Sequence, residues 1–287
     1  MYKKIVGILV CTLFIASMAI PISALNKDYE RPVKPTGNSA DVPIWEVGDT
    51  WTYKASYYES DINETLVFTL EGEVTYEVID DTGDFYILVG SGRPLGIIQY
   101  GNIGLRTSRF SSASFELKIR KSDLSLVYNH QLLKGICWLT LGGIPLPIPI
   151  QIKGSKNSNF SPDWELIPFP LFDGKTGTIG SIELTEESST TLFWGLVVLS
   201  EGNGSWNTGN LDYTVTEEQI TVPAGTYDVY FVEVIYPPPN IDDYYNGYYC
   251  EEFGNSIKQS IKIVFGQDPE KTYLTYDLEL ISTTYSP

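Results

Sequence analysis

Any chemistry that needs an imidazole must be done by one residue, because His130 is the only histidine in the 287-residue chain. Serine hydrolase relays and histidine-bearing zinc sites place that ring beside oriented partners. His130 instead ends an amphipathic strand pattern, where a surface role suffices. Cys137 follows in the same segment, yet cysteine proteases draw thiol and imidazole from distant surroundings with recognisable signatures, and none occurs here. Gly174-Lys175-Thr176 has the ending of a phosphate-binding loop, but the first glycine of that loop would fall at Phe169, whose ring blocks the tight turn. Asp242 opens a segment like a calcium loop; its third position is Tyr244 and its twelfth Phe253, and neither brings a carboxylate. Asp80, Asp81 and Asp84 could hold calcium loosely, although the same residues make an ordinary acidic hairpin turn. The 36 Asp and Glu residues offer many carboxylate pairs for glycoside hydrolysis, a matter of geometry that spacing does not decide. The expectation is a non-enzymatic protein with no catalytic residues, no metal site and no cofactor.

Binding is the other use of side chains. The chain holds 20 Tyr, 12 Phe and 6 Trp, more ring area than a disordered chain carries. Trp138, Trp194, Phe231 and Tyr276 form a candidate ligand lining and are equally good core residues. Tyr244, Tyr245, Tyr248 and Tyr249 cluster beside Pro237 to Pro239 and could stack on sugar rings, or fill half-buried strand positions for which tyrosine has high propensity. Acceptor sequons for glycosylation stand at Asn63, Asn159 and Asn203.

These residues sit on a chain that begins as an exported one does. Lys3 and Lys4 precede an apolar stretch, and Ile22-Ser23-Ala24 reads as a processing site, so residues 1–24 are expected to be a signal peptide. Pro21 ends the apolar run short of the roughly 20 residues that span a bilayer. The product is expected outside the cytoplasm, secreted or envelope-associated, with no membrane span once the signal is gone. Loss of the two lysines takes the formal charge from −17 to −19. Such a field repels nucleic acid and disfavours anionic lipid headgroups. Of the three cysteines, Cys137 and Cys250 would remain; they could pair, closing a long loop worth about 4 kcal/mol, or stay as buried thiols.

Residues 25–44 are rich in Pro, Asn, Ser and charge, and read as a flexible spacer. A single domain is expected over residues 45–287. Its dominant signal is alternation with period two. Phe115, Leu117 and Ile119 alternate with Glu116, Lys118 and Arg120, and Leu274, Tyr276, Leu278 and Leu280 alternate with Thr275, Asp277 and Glu279. These are half-buried antiparallel strands. Asp80 to Asp84 and Val222-Pro223-Ala224-Gly225 are hairpin connections. No long stretch has helical spacing between caps, so few short helices are expected. Residues 136–152 depart from the pattern: they are almost wholly apolar and carry Pro145, Pro147 and Pro149. As a strand this segment must be an edge; left open it would be an adhesive patch, and as a covering strand its Leu146, Ile148 and Ile150 would close one end of the core.

Several segments together resemble a family of secreted, functionally uncharacterised β proteins of archaea and bacteria with a fold similar to the periplasmic lipoprotein carriers. They are Trp45-Glu46-Val47-Gly48-Asp49-Thr50-Trp51-Thr52-Tyr53, Arg120-Lys121-Ser122-Asp123-Leu124, Val222-Pro223-Ala224-Gly225-Thr226-Tyr227, Tyr248-Tyr249 through Gly254-Asn255-Ser256-Ile257-Lys258, and Leu278-Glu279-Leu280. The resemblance implies an all-β fold with a large, strongly curved antiparallel sheet, a half-barrel or open barrel, able to enclose a hydrophobic small molecule or lipid. It implies no catalytic residues. Cys250 departs from the family pattern, which raises the case for a bridge to Cys137. The competing reading is a cell-surface carbohydrate-binding or adhesion module, with a surface glycan as partner and exposed Tyr and Trp as its platforms.

Overall fold

The computed structural model describes residues 39–61, 66–100, 103–142, 144–165, 167–192, 195–235, 243–265 and 272–286. The expected signal peptide, most of the expected spacer, Asn63 and Trp194 lie outside them. The described chain is built almost entirely of strands: β1 (Thr50–Asp61), β2 (Leu66–Thr82), β3 (Phe85–Gly92), β4 (Leu95–Tyr100), β5 (Ile103–Arg120), β6 (Leu126–Leu141), β7 (Ile144–Trp164), β8 (Thr176–Ile179), β9 (Glu183–Leu192), β10 (Val197–Asn207), β11 (Leu211–Val222), β12 (Gly225–Ile235), β13 (Tyr244–Cys250), β14 (Asn255–Phe265) and β15 (Thr272–Thr283). All fifteen join one antiparallel sheet, in the order β10-β9-β7-β6-β5-β3-β2-β1-β15-β14-β13-β12-β11-β8, with β4 bridging β2 and β5. The sheet does not close into a barrel: β10 and β8 stand at its two ends. Glu251–Phe253 forms a 3-10 turn, and no α-helix occurs among the described residues. No helix there is long and apolar enough to cross a membrane.

The period-two pattern decides which face is buried. Trp51, Tyr53 and Tyr57 of β1, Val74, Tyr76 and Val78 of β2, and Leu274, Tyr276, Leu278 and Leu280 of β15 are buried, and the residues between them face outward. Register carries this across the sheet, Tyr57 standing opposite Leu70 on one side and Tyr276 on the other. Gly90, opposite Tyr76, is required by packing, since a Cβ there would meet the Tyr76 ring at 2.6 Å and the Phe115 ring at 2.8 Å.

Hairpins alternate between two ends of the sheet. At the end that holds the chain's first described residues, Trp45 and Trp51 pack with ring centroids 5.1 Å apart, and Trp45 lies 5.3 Å from Tyr86. The Trp45 indole N–H donates to the Gly254 carbonyl and that of Trp51 to the Phe253 carbonyl, both at 2.9 Å. The β13–β14 turn offers those carbonyls because Gly254 takes a left-handed conformation, φ 57°. Arg120 clamps the same end, its guanidinium donating to Asp123, to Asp163 near the end of β7 and to Ser125. Ala40, within the expected spacer, is fully buried and exchanges backbone hydrogen bonds of 2.9 and 2.8 Å with Leu171.

The proline-bearing segment is an edge. β7 pairs with β6 along most of its length, but with β9 only from Ile152 to Ser161, leaving its first eight residues open on one side. Ile150 and Ile152 are buried, whereas Ile144 and Ile148 are exposed, so only the lower part of the segment covers core.

Trp45→Ala, which removes a buried ring and its hydrogen bond, is expected to cost about 3–5 kcal/mol of unfolding free energy. Urea denaturation followed by circular dichroism measures this, and a loss under about 1 kcal/mol would refute the structural role given to Trp45.

Candidate functional site

Inward side chains of β1, β2, β5, β6 and β15 leave a cavity of about 60 Å³ in the middle of the sheet's buried face. Tyr57, Leu70, Tyr76, Phe115, Leu133 and Tyr276 give it an apolar wall. It lies beside the break between β3 and β4, where Gly92 and Pro94 also reach it. Gly72 is needed here, because a Cβ on it would stand 2.8 Å from the Pro94 Cα. One lining side chain is polar and unsatisfied: Gln131 is buried, and neither amide atom has a hydrogen-bond partner among the described residues.

Gln131 belongs to a larger polar field on the same face. In register, Asn129, Ser158 and Glu186 form one cross-strand row and Gln131, Lys156 and Ser188 the next. Asn129, Lys156 and Ser158 are buried, and Thr190 on β9 is fully buried. The Lys156 ammonium pairs with the Glu186 carboxylate. Asn129, Ser158 and Thr190 lack hydrogen-bond partners for their buried polar atoms among the described residues. Such groups are costly in a protein interior unless something polar reaches them.

Tyrosines carry the rest of the polar character. Tyr76 and Tyr276 hydrogen-bond each other, and burial pushes both phenols well up. The Tyr57 hydroxyl donates to Glu59 at 2.5 Å. Glu59 is 4% exposed, and burial pushes its carboxyl up to about 8 despite that bond. A second group of ionisable side chains lies at the Arg120 end. Burial, reinforced by the nearby Asp123 carboxylate, raises Glu165 to about 8, and burial lowers Lys175 to about 8. The Lys175 ammonium is spent on the carbonyls of Pro168 and Pro170, so this group serves as a strut for the loop after β7.

The residues singled out from sequence do not converge. Tyr276 lines the cavity, and Trp194 lies outside the described residues. Trp138 points to the other face and is 38% exposed near the β6–β7 tip. Phe231 is also outward, stacked on Tyr248 with centroids 4.8 Å apart. The three described rings, on two faces, are not one lining. Of the tyrosine cluster, Tyr245 and Tyr249 are buried while Tyr244 and Tyr248 are half-buried on the outer face. Cys137 and Cys250 are free. Of the two alternatives, a bridge or two buried thiols, the structure has the thiols: Cys137 lies near the β6–β7 tip and Cys250 at the opposite end, beside the 3-10 turn. Burial raises the two thiols to about 12 and about 11. The His130 Nδ1–H donates to the Asn157 Oδ1 at 2.5 Å. Among the described residues no cluster of three or more His, Cys, Asp or Glu is placed to hold a metal, and Asp81 of the acidic turn pairs with Lys121. Asn159 and Asn203, both exposed, line one groove of about 320 Å³ across β7, β9 and β10.

Glu59 and Glu165 keep their protons in the folded chain up to about pH 8, whereas an unfolded carboxyl loses its proton near 4.5. Unfolding between those values releases protons, so stability falls as pH rises from about 4.5 to about 8, by up to about 1.4 kcal/mol per pH unit for each carboxyl. Glu59→Gln, which keeps an acceptor for Tyr57, is expected to flatten that slope. Denaturation at a series of pH values measures it; an unchanged slope would mean that Glu59 is ionised when folded.

Comparison of the chain with protein-family models, with curated proteins and with solved structures found no match in any of the three.

Proposed function

We propose that the protein is a non-enzymatic, extracytoplasmic binding protein that holds a hydrophobic ligand on the buried face of its sheet, in the manner that its resemblance to lipoprotein carriers suggests. The observation that carries this reading is the central cavity: an apolar, tyrosine-rich wall with one unpartnered amide, Gln131. Apolar walls supply affinity and a few placed polar groups supply orientation. At about 60 Å³ the cavity is far below the roughly 300 Å³ of an ordinary ligand pocket. It suits the end of a chain or a small apolar molecule bearing one hydrogen-bonding group, and a whole lipid would need the sheet to yield beside the β3–β4 break.

Carbohydrate recognition has one observation in its favour, the outward Phe231–Tyr248 pair. These rings are nearly parallel, with an interplanar angle of 22°, and each gives one face to the other. A sugar platform needs flat faces turned to solvent. The hydrophobic ligand is therefore the stronger reading.

Gln131→Leu tests it. Replacing a buried, unpaired amide by an apolar side chain is expected to stabilise the ligand-free protein by about 1–2 kcal/mol. It is also expected to abolish retention of a bound small molecule in native mass spectrometry of protein recovered from its own host. Recovery of wild-type protein with nothing bound, or with a glycan displaced by Phe231→Ala, would sink the proposal.

A further inference from the structure

At the end of the sheet opposite Trp45, the β6–β7 hairpin and the β9–β10 turn expose large apolar side chains that no described residue covers. Ile136 and Trp138 are 48% and 38% exposed, Leu141 and Ile144 are 55% and 68%, and Leu196 reaches 85%. They lie on both faces of the hairpin: Ile136 and Trp138 alternate with the buried Cys137 and look outward, whereas Leu141 and Ile144, paired at the tip, continue the inward face beyond the core. A protein partner that covers one side of a sheet would leave the other side wet. A hairpin apolar on both faces suits a medium that surrounds it.

The open edge of β7 leads to the same medium. Proline nitrogen cannot donate, so three of the eight residues of this edge, Pro145, Pro147 and Pro149, carry no N–H. This leaves fewer donors with which an added strand could pair. It also lowers the cost of placing that edge where water is scarce, because unpaired N–H groups are expensive in hydrocarbon.

Charge completes the pattern. Residues 93–156 hold nine Lys and Arg against two carboxylates, Glu116 and Asp123, in a chain whose formal charge is −17. Lys134 and Lys153 are cross-strand neighbours, exposed on the outer face. They stand four residues below Trp138 and Pro149, about 13 Å along the strands. Apolar side chains at the tip with a basic pair a headgroup's depth behind them match an anionic bilayer surface.

We propose that this end of the sheet docks on a lipid bilayer bearing anionic headgroups, the β6–β7 tip entering the interface and Lys134 and Lys153 meeting the headgroups. The site is distinct from the central cavity and stands whether or not the cavity holds a ligand.

Hydrogen exchange of the full chain, read by mass spectrometry with vesicles of phosphatidylcholine and phosphatidylglycerol, tests it. Amides of the β6–β7 tip are expected to slow with the mixed vesicles and not with phosphatidylcholine alone, and to recover in high salt. In co-sedimentation, Lys134→Gln and Lys153→Gln are each expected to weaken tip binding about fivefold. Trp138→Ser is expected to weaken it about tenfold. All three positions are exposed, so unchanged circular dichroism and Tm exclude misfolding. Slowing confined to residues 5–20 would overturn the proposal, as would equal protection by neutral vesicles. A salt-sensitive dimer in sedimentation, dissociated by these same substitutions, would assign the surface to a second copy of the chain and overturn it too.

Discussion

A protein made of one sheet, with no α-helix among its described residues, has only its own strands and loops with which to dry its buried face. That constraint shapes everything else. Rings do most of the covering, as in the Trp45, Trp51 and Tyr86 cluster and the Tyr53, Tyr57, Tyr76 and Tyr276 group. Tyrosine brings bulk together with a hydroxyl that must find a partner: Tyr53 reaches across strands to the Ser256 carbonyl, and Tyr57 reaches Glu59 within β1. Where rings give way to Asn129, Gln131, Ser158 and Thr190, polar atoms are left in the interior, and this is where the fold departs from simple cohesion.

The two proposed sites follow from the same limitation at different places. In the middle, the break between β3 and β4 interrupts the packing and leaves a void. At one end, β7 outruns β9, and the inward side chains at the β6–β7 tip are left exposed. The other end is tied by indole N–H groups, the Arg120 clamp and the Ala40–Leu171 bridge. The molecule is thus firmly closed where the described chain begins and unfinished where the hairpin tips lie.

Much of the fold was readable in the residues and much of the site was not, for physical reasons. Strict alternation in β15 and the Pro223-Ala224-Gly225 turn, where Tyr227 donates back to the Ala224 carbonyl, announce strand and hairpin directly. Prolines at alternate positions announced an edge. Alternation names two faces but cannot say which of two rings on different strands share one, so Trp138, Phe231 and Tyr276 were grouped although the sheet separates them. The polar field was hidden because its pattern runs backwards: in β6, Asn129 and Gln131 turn inward while Tyr128 and His130 look out. Hydropathy alone would assign them the reverse. The net charge of −17 also concealed the basic stretch, because an average over the chain says nothing about where strands carry their lysines.

The two cysteines, parked at opposite ends of the sheet and reluctant to ionise, have a consequence for how the protein comes into being. A thiol that stays protonated and out of solvent is a poor nucleophile toward oxidants and mixed disulfides alike. Folding calls on no bond between these two sulfurs, and among the described residues the body is held by non-covalent cohesion.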